Sequence, residues 1–152
     1  MAAKGAVAAG HPKTADAAAL LLEAGGNAFD AALAALCAAC VAEPVLTSLG
    51  GGGFLTAKTA AGKTQVYDFF VQTPRRKRPP YDIELFPVVA DFGTAKQEFH
   101  IGMGSLATPG TVRGLFDVHR ELGSIPMRRI VEPAVMTARD GVRLNHLQAQ
   151  CH

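Results

Sequence analysis

Residues 43–54, Glu43-Pro44-Val45-Leu46-Thr47-Ser48-Leu49-Gly50-Gly51-Gly52-Gly53-Phe54, lead from an alanine-rich apolar stretch through a proline into four consecutive glycines. The alternating residues 54–58 that follow predict a strand. A phosphate-binding glycine loop has the opposite order, from strand to glycines to helix, because the anion sits on the free N–H groups of a helix start. The order found here disfavours a nucleotide-binding module. It predicts that the glycines let two backbone segments approach closely at the edge of a packed sheet.

Hydrophobic periodicity and turn residues outline the rest of the chain. They predict, in order, a short buried strand over residues 5–9, a helix from Pro12 or Thr14 to about Glu23, a helix capped by Asn27 that ends near Ala42, strands over residues 54–58 and 64–68, a strand over residues 99–104, and a helix over residues 111–122. Residues 127–140 have helical spacing, but Pro133 predicts two short helices meeting at a corner. Residues 70–98 are predicted to form a long irregular loop.

This order of elements predicts an α/β fold with α+β layering, in which alanine-rich helices pack on a mixed or antiparallel sheet. Of the 152 residues, 49% are hydrophobic but only 7% are aromatic and none is Trp. A core of this composition depends on close helix packing more than on large side chains. We interpret residues 1–152 as a single, incomplete domain.

The charge pattern excludes several classes of partner. A net charge of +2 is too small and too dispersed for a nucleic-acid binder. The basic run at residues 75–78 lies between prolines without stacking aromatics, which favours a solvated loop.

The longest apolar run, residues 31–42, is too short to span a bilayer. No apolar signal-peptide region is evident, so we expect a cytoplasmic protein, with export left open if the N-terminus is incomplete.

Several short motifs follow one another in a specific order along the chain. They are Gly10-His11-Pro12, Gly25-Gly26-Asn27-Ala28-Phe29-Asp30-Ala31-Ala32, the glycine run, Tyr67-Asp68-Phe69, Gly104-Ser105-Leu106-Ala107-Thr108-Pro109-Gly110-Thr111-Val112, Glu132-Pro133-Ala134-Val135 and Asp140-Gly141-Val142. Together they resemble the N-terminal part of the gamma-glutamyltranspeptidase family, whose members are N-terminal-nucleophile hydrolases. The resemblance covers nearly all of the 152 residues.

The resemblance implies a precursor that cleaves itself to expose a threonine, whose α-amine acts as base for its own hydroxyl. In the family that threonine lies in the second half, beyond the matched part, and Thr47, Thr56, Thr108 and Thr111 lack the cleavage context. No catalytic residue, metal or cofactor is therefore expected here. The implied partners are the missing C-terminal, small-subunit-like half and a small γ-glutamyl or other acyl substrate. The chain is predicted to be inactive alone.

One substrate contact of the family falls within this chain. The resemblance places an arginine two residues after the Asp of an Asp-Phe-Arg motif, where it pairs with the substrate α-carboxylate, a task suited to a planar bidentate donor. Here Asp68-Phe69 is followed by Phe70. Either Arg75 or Arg76 reaches into the site, or the intact protein takes a different acyl group, as acylase-like branches of the family do. Phe70, Arg75 and Arg76 are thus the candidate substrate-binding residues.

Two alternatives concern the role of the whole chain. It is either the N-terminal fragment of a gamma-glutamyltransferase-like enzyme or a non-catalytic remnant or partner subunit of a split acylase-like hydrolase.

Among the remaining reactive side chains, Cys37 and Cys40 are predicted to be small apolar core residues rather than half of a zinc site. His11 is predicted to organise a turn, and His119 to be a hydrogen-bonded residue at the edge of the core.

Overall fold

The computed structural model of the protein describes residues 5–150. Its elements follow each other as α1 (Pro12–Glu23), α2 (Ala28–Ala42), β1 (Phe54–Lys58), β2 (Thr64–Asp68), β3 (Phe86–Asp91), β4 (Lys96–Ile101), α3 (Thr111–Leu122), α4 (Met127–Asp140) and α5 (His146–Gln150). Single 3-10 turns lie at Pro80–Asp82 and Met103–Ser105. The strands form two separate antiparallel hairpins, β1 with β2 and β3 with β4. Within the described range, no helix has the length and apolar character needed to cross a membrane.

The core is built mainly by helices. Helix α2 packs against α1 and α4 and also contacts α3. Its alanines are small enough to bring helix axes close together, and Ala34, Ala38 and Ala42 are fully buried. The larger buried side chains Leu33, Val118 and Ile130 fill the space between the helices. This arrangement agrees with the predicted alanine-rich core.

A polar network at the start of α2 joins it to the connection between α3 and α4. Asn27 and Asp30 form a capping box, in which the Asn27 side chain accepts from the Asp30 N–H and Asp30 accepts from the Asn27 N–H at 2.8 Å. Asp30 also accepts from the Ser124 N–H at 3.0 Å and from the Ser124 hydroxyl. The Asn27 side-chain amide donates to the Leu122 carbonyl at 2.8 Å. The predicted cap is confirmed, and it holds two distant segments together.

The β1–β2 hairpin presents one face to the helices. Ala57 is buried, and Leu55 and Tyr67 pack on the edge of the helical core. The Tyr67 hydroxyl donates to the Glu121 carboxylate of α3 at 2.8 Å. The opposite face, which includes Phe54 and Val66, is exposed. This alternation follows from the two-residue period of a strand.

The prediction for residues 70–98 was wrong in part, because that stretch contains β3 and the start of β4. These strands and their two flanking 3-10 turns form a projection, residues 80–105, that we call the arm. None of its residues is buried. The strand predicted over residues 99–104 exists but is shifted to Lys96–Ile101. In the register of this hairpin, Val88 pairs with Phe99 and Val89 pairs with Glu98. The local sequence does not reveal this pairing, because prolines and charged residues interrupt the alternation of apolar and polar residues.

Two other predictions are corrected. Residues 5–9 form no strand, because no other strand of the described chain lies beside them to complete a ladder. Helix α4 is continuous through Pro133 rather than split into two. Burial of Ile130 and Ala134 against the core outweighs the one backbone hydrogen bond that the proline removes.

Candidate active-site region

The glycine run lies where the β1–β2 hairpin meets the segment after β2. The Gly53 N–H donates to the Phe69 carbonyl at 3.3 Å, and the Phe69 N–H donates to the Gly53 carbonyl at 3.1 Å. A Cβ atom on Gly52 would lie 2.5 Å from the Val71 nitrogen and 2.8 Å from the Phe69 carbonyl oxygen. Only a glycine fits there without displacing backbone. The predicted close approach of two backbone segments is confirmed.

The same glycines position the start of α3. The Gly51 carbonyl accepts from the N–H groups of Gly110 at 2.9 Å and Thr111 at 3.1 Å. Nearby, Gln72 and Thr108 exchange backbone hydrogen bonds of 3.0 and 2.7 Å. Residues far apart in sequence therefore converge on one set of backbone contacts, which we call the glycine junction: residues 51–53, 69–72 and 108–111. The segment that carries Phe70 is held from both sides.

Phe69 and Phe70 face opposite ways from this junction. Phe69 fills a notch in α3, since Cβ atoms on Gly110 and Gly114 would overlap the Phe69 carbonyl and ring. Phe70 instead stacks on Phe54, with ring centroids 5.4 Å apart and planes at 11°. Both stacked rings remain open to solvent, with Phe54 63% and Phe70 49% exposed. The junction thus presents a flat aromatic surface where the resemblance implied a cation.

Arg75 and Arg76 lie a few residues further on, in a bend outside any helix or strand, and both are exposed. Neither forms an ion pair with another part of residues 5–150. The Asp68 carboxylate accepts from the Phe70 N–H at 3.0 Å, which fixes the turn after β2. The structure therefore brings Phe70 into the junction. A substrate-binding role for Arg75 or Arg76 stays a prediction.

Phe54 is a member of this surface that the sequence reasoning missed. A signal for it was present, because residues two apart on one strand and their cross-strand neighbours share a face. The register pairs Phe54 with Asp68, which places Phe54 on the side toward which Phe70 turns. Its contact with Phe70 depends on a tertiary junction that periodicity alone does not specify.

The two histidines singled out from the sequence have structural hydrogen bonds. The His11 ring accepts from the Lys13 N–H at 3.1 Å and caps α1, as predicted. The His119 ring lies 2.8 Å from the Ile125 carbonyl oxygen, which confirms a hydrogen-bonded residue at the edge of the core. Nothing in residues 5–150 gathers three or more His, Cys, Asp or Glu side chains into a possible metal site.

Cys37 is a buried residue of α2, and Cys40 is partly buried one turn later. Burial and the neighbouring Cys40 raise the pKa of Cys37 to about 11. Burial also raises the pKa of Cys40. Since the thiolate is the reactive form, both thiols react more slowly at neutral pH than an ordinary cysteine, and Cys37 is further protected because it is buried. This agrees with their interpretation as small apolar core residues.

Comparison with known proteins places this geometry in a family. The sequence profile described as gamma-glutamyltranspeptidase matches residues 14–152. The acylase ACY 1 proenzyme of Pseudomonas sp. (strain V22) is 30% identical over 97% of this chain and 27% of its own length. The glutathione hydrolase proenzyme of Pseudomonas aeruginosa is 33% identical over 96% of this chain and 25% of its own length. The chain spans about a quarter of each of these relatives.

Solved structures give the same result. The gamma-glutamyltranspeptidase of Helicobacter pylori superposes with a TM-score of 0.80 and 25% identity, over 99% of this chain and 42% of that chain. The enzyme of Pseudomonas nitroreducens gives a TM-score of 0.79 and 32% identity, over 97% and 42%. The fold is thus part of an N-terminal-nucleophile hydrolase, with helices and small antiparallel sheets. The chain belongs to the gamma-glutamyltranspeptidase family and corresponds to an N-terminal part of its members.

Proposed function

We propose that this chain supplies the N-terminal scaffold of a gamma-glutamyltransferase-like enzyme that transfers or hydrolyses γ-glutamyl groups of glutathione-type donors. The observation that carries the proposal is the superposition of 99% of the chain on 42% of the Helicobacter pylori enzyme. The relatives named as glutathione hydrolases share the same segment. The scaffold role is consistent with the many backbone contacts that converge on the glycine junction.

In this proposal, activity requires the part of the relatives that lies outside the segment matched by this chain. N-terminal-nucleophile chemistry needs a hydroxyl on a residue with a free α-amine, which an internal threonine does not have. Several described threonine hydroxyls serve structure instead: Thr14 donates to Glu43 at 3.0 Å, and Thr137 donates to the Pro133 carbonyl at 2.8 Å. Thr111 is buried in the first turn of α3. We therefore expect no turnover by the isolated chain.

A chimera tests this directly. The 152-residue chain replaces the matched quarter of the Pseudomonas aeruginosa proenzyme, and release of nitroaniline from γ-glutamyl nitroanilide is compared between the chimera and the isolated chain. The expected result is turnover by the chimera and only background from the isolated chain. Turnover by the isolated chain would overturn its inactivity. A folded chimera without turnover would overturn the γ-glutamyl proposal and favour a non-catalytic remnant.

A second candidate is an acylase-like partner subunit, favoured by the Phe54–Phe70 stack. An exposed aromatic surface binds apolar acyl chains better than a free carboxylate, because it offers no charge-assisted hydrogen bond. The similarity to acylase ACY 1 proenzymes points the same way. In the gamma-glutamyltransferase version of the proposal, Arg75 or Arg76 supplies the missing cation.

Matched substrates separate the two versions. γ-Glutamyl nitroanilide and 4-aminobutyryl nitroanilide differ only in the α-carboxylate. The kcat/KM of the chimera for the first substrate divided by that for the second therefore measures how strongly the α-carboxylate is recognised. If the acylase version holds, the ratio is near one, and Phe70→Arg raises it about tenfold or more. If an arginine of the loop supplies the contact, the ratio is already high and falls in Arg75→Ala or Arg76→Ala.

A further inference from the structure

An apolar groove lies between helices α2, α3 and α4, and Leu49, directly before the glycine run, also lines it. Its volume is about 340 Å³, and no charged side chain lines it. Helix α2 contributes its floor, and α3 and α4 contribute its walls. Its central members are Cys40, Val112, Leu115, Phe116, Val131 and Val135. We call this feature the α2–α4 groove.

The sequence explains why the groove exists. Helix α2 is apolar on all sides, so packing against α1 leaves part of its apolar surface for other elements. On α3, Leu115 is buried, whereas the Phe116 ring beside it is 55% exposed. Val112 and Val135 are 46% and 43% exposed on the two walls. Contiguous apolar surface of this kind marks an interaction site in a soluble protein.

We propose that the α2–α4 groove seats an apolar helical segment of the polypeptide that family members carry beyond the part matched by this chain. The inference rests on the proposed function, which requires that missing part. More than half of the Helicobacter pylori chain lies outside the match, so the relatives carry enough additional polypeptide to pack on this scaffold. A groove walled by helices and lined by Val, Leu and Phe suits a helix with apolar anchors at three- and four-residue spacing.

Cys40 reports directly on occupancy of the groove. It lies on the floor and is partly exposed, whereas Cys37 one turn earlier is buried. The test is carried out at pH 8 in the Cys151→Ser background, with a maleimide as the probe. Cys40 of the isolated chain is labelled, and in the chimera with the Pseudomonas aeruginosa proenzyme its labelling slows at least tenfold. The Cys40→Ala versions of both proteins identify the signal that belongs to this thiol.

Substitutions test whether the groove contact matters for assembly. Phe116→Asp places a charge in the covered groove and is expected to lower the yield of soluble, active chimera at least tenfold. Arg113→Asp introduces the same residue on the outward side of the same helix, where the side chain is 87% exposed, and leaves the yield unchanged. In the isolated chain both variants keep the helical circular dichroism, since both sites already face solvent.

The outcomes separate this inference from the proposed function. A chimera that assembles and turns over substrate while Cys40 stays reactive, or tolerates Phe116→Asp, overturns the groove inference and leaves the proposed function standing. A chimera that does not assemble overturns both. An isolated chain that dimerises and becomes monomeric with Phe116→Asp assigns the groove to a second copy and overturns the proposed occupant.

Discussion

The helical core and the arm show two ways in which one chain treats its apolar residues. In the core, Val118 and Ile130 are fully buried among alanines of neighbouring helices. In the arm, Val89, Phe92 and Phe99 remain 43–63% exposed, and no residue is buried. The arm is held by its own strand pairing and by local turns, such as the Gly104 N–H donating to the Glu84 carbonyl at 2.7 Å. The difference teaches that, outside the α2–α4 groove, the helices bury most of their large apolar side chains against one another, whereas the arm keeps an apolar surface that no described residue covers.

The largest effect is expected where the core depends on a buried charge. Asp30→Ala removes the acceptor for Asn27 and for both donors of Ser124, so it should destabilise the isolated chain by about 3 kcal/mol. Urea unfolding followed by circular dichroism measures the change. Ser124→Ala removes one of these bonds and should cost about 1 kcal/mol. If Asp30→Ala proves no worse than Ser124→Ala, the network does not join α2 to the α3–α4 connection.

The same substitution of valine by alanine, made once in the core and once in the arm, tests this comparison. Val118 is fully buried in the core, and Val89 is 63% exposed in the arm. Val118→Ala should lower the free energy of unfolding by about 2 kcal/mol through lost burial and the cavity it leaves. Val89→Ala should cost at most about 0.5 kcal/mol, the strand preference of valine. Equal losses in the same urea titration would show that the arm is packed on the core in solution.

The smallest effect is a pH dependence that belongs to the core alone. Burial raises the pKa of Asp30, but hydrogen bonds from Ser124 and Asn27 outweigh it, and the net pKa is lowered from its usual value of 3.8. The unfolded chain therefore takes up the proton first as pH falls. The stabilisation is complete above the unfolded pKa and is lost as pH falls through the folded one.

Thermal unfolding between pH 6 and pH 3 measures this loss. The midpoint of the native chain should fall more steeply below pH 4.5 than that of Asp30→Asn, which keeps the shape of the side chain without its titration. Parallel curves for the two proteins would mean that other carboxylates control the acid sensitivity of the fold.

Sequence patterns predicted the core better than the arm. The bounds of α2, α3 and the β1–β2 hairpin follow from apolar periodicity, Asn27 as a cap and the glycines after the helices. The errors fell where partners outside the local window decide. Residues 5–9 lack a neighbouring strand, α4 tolerates Pro133 because its face is buried, and β3 forms by pairing with β4. In the candidate site, Phe70 was identified from its motif, but its stacking partner Phe54 was not.

The amino-acid sequence by itself determined the family, through the order of its motifs, and the alanine-rich helices, because apolar spacing encodes them. It also predicted a close backbone approach at the glycine run, but the contacts that require glycine at residue 52 come from residues 69–71. Only the tertiary structure decided which faces stay open. It set Phe69 into α3 and turned Phe70 onto Phe54, and it left the α2–α4 groove uncovered. The physical reason is that exposure depends on how separate elements pack, and packing is a property of the assembled chain rather than of any segment within it.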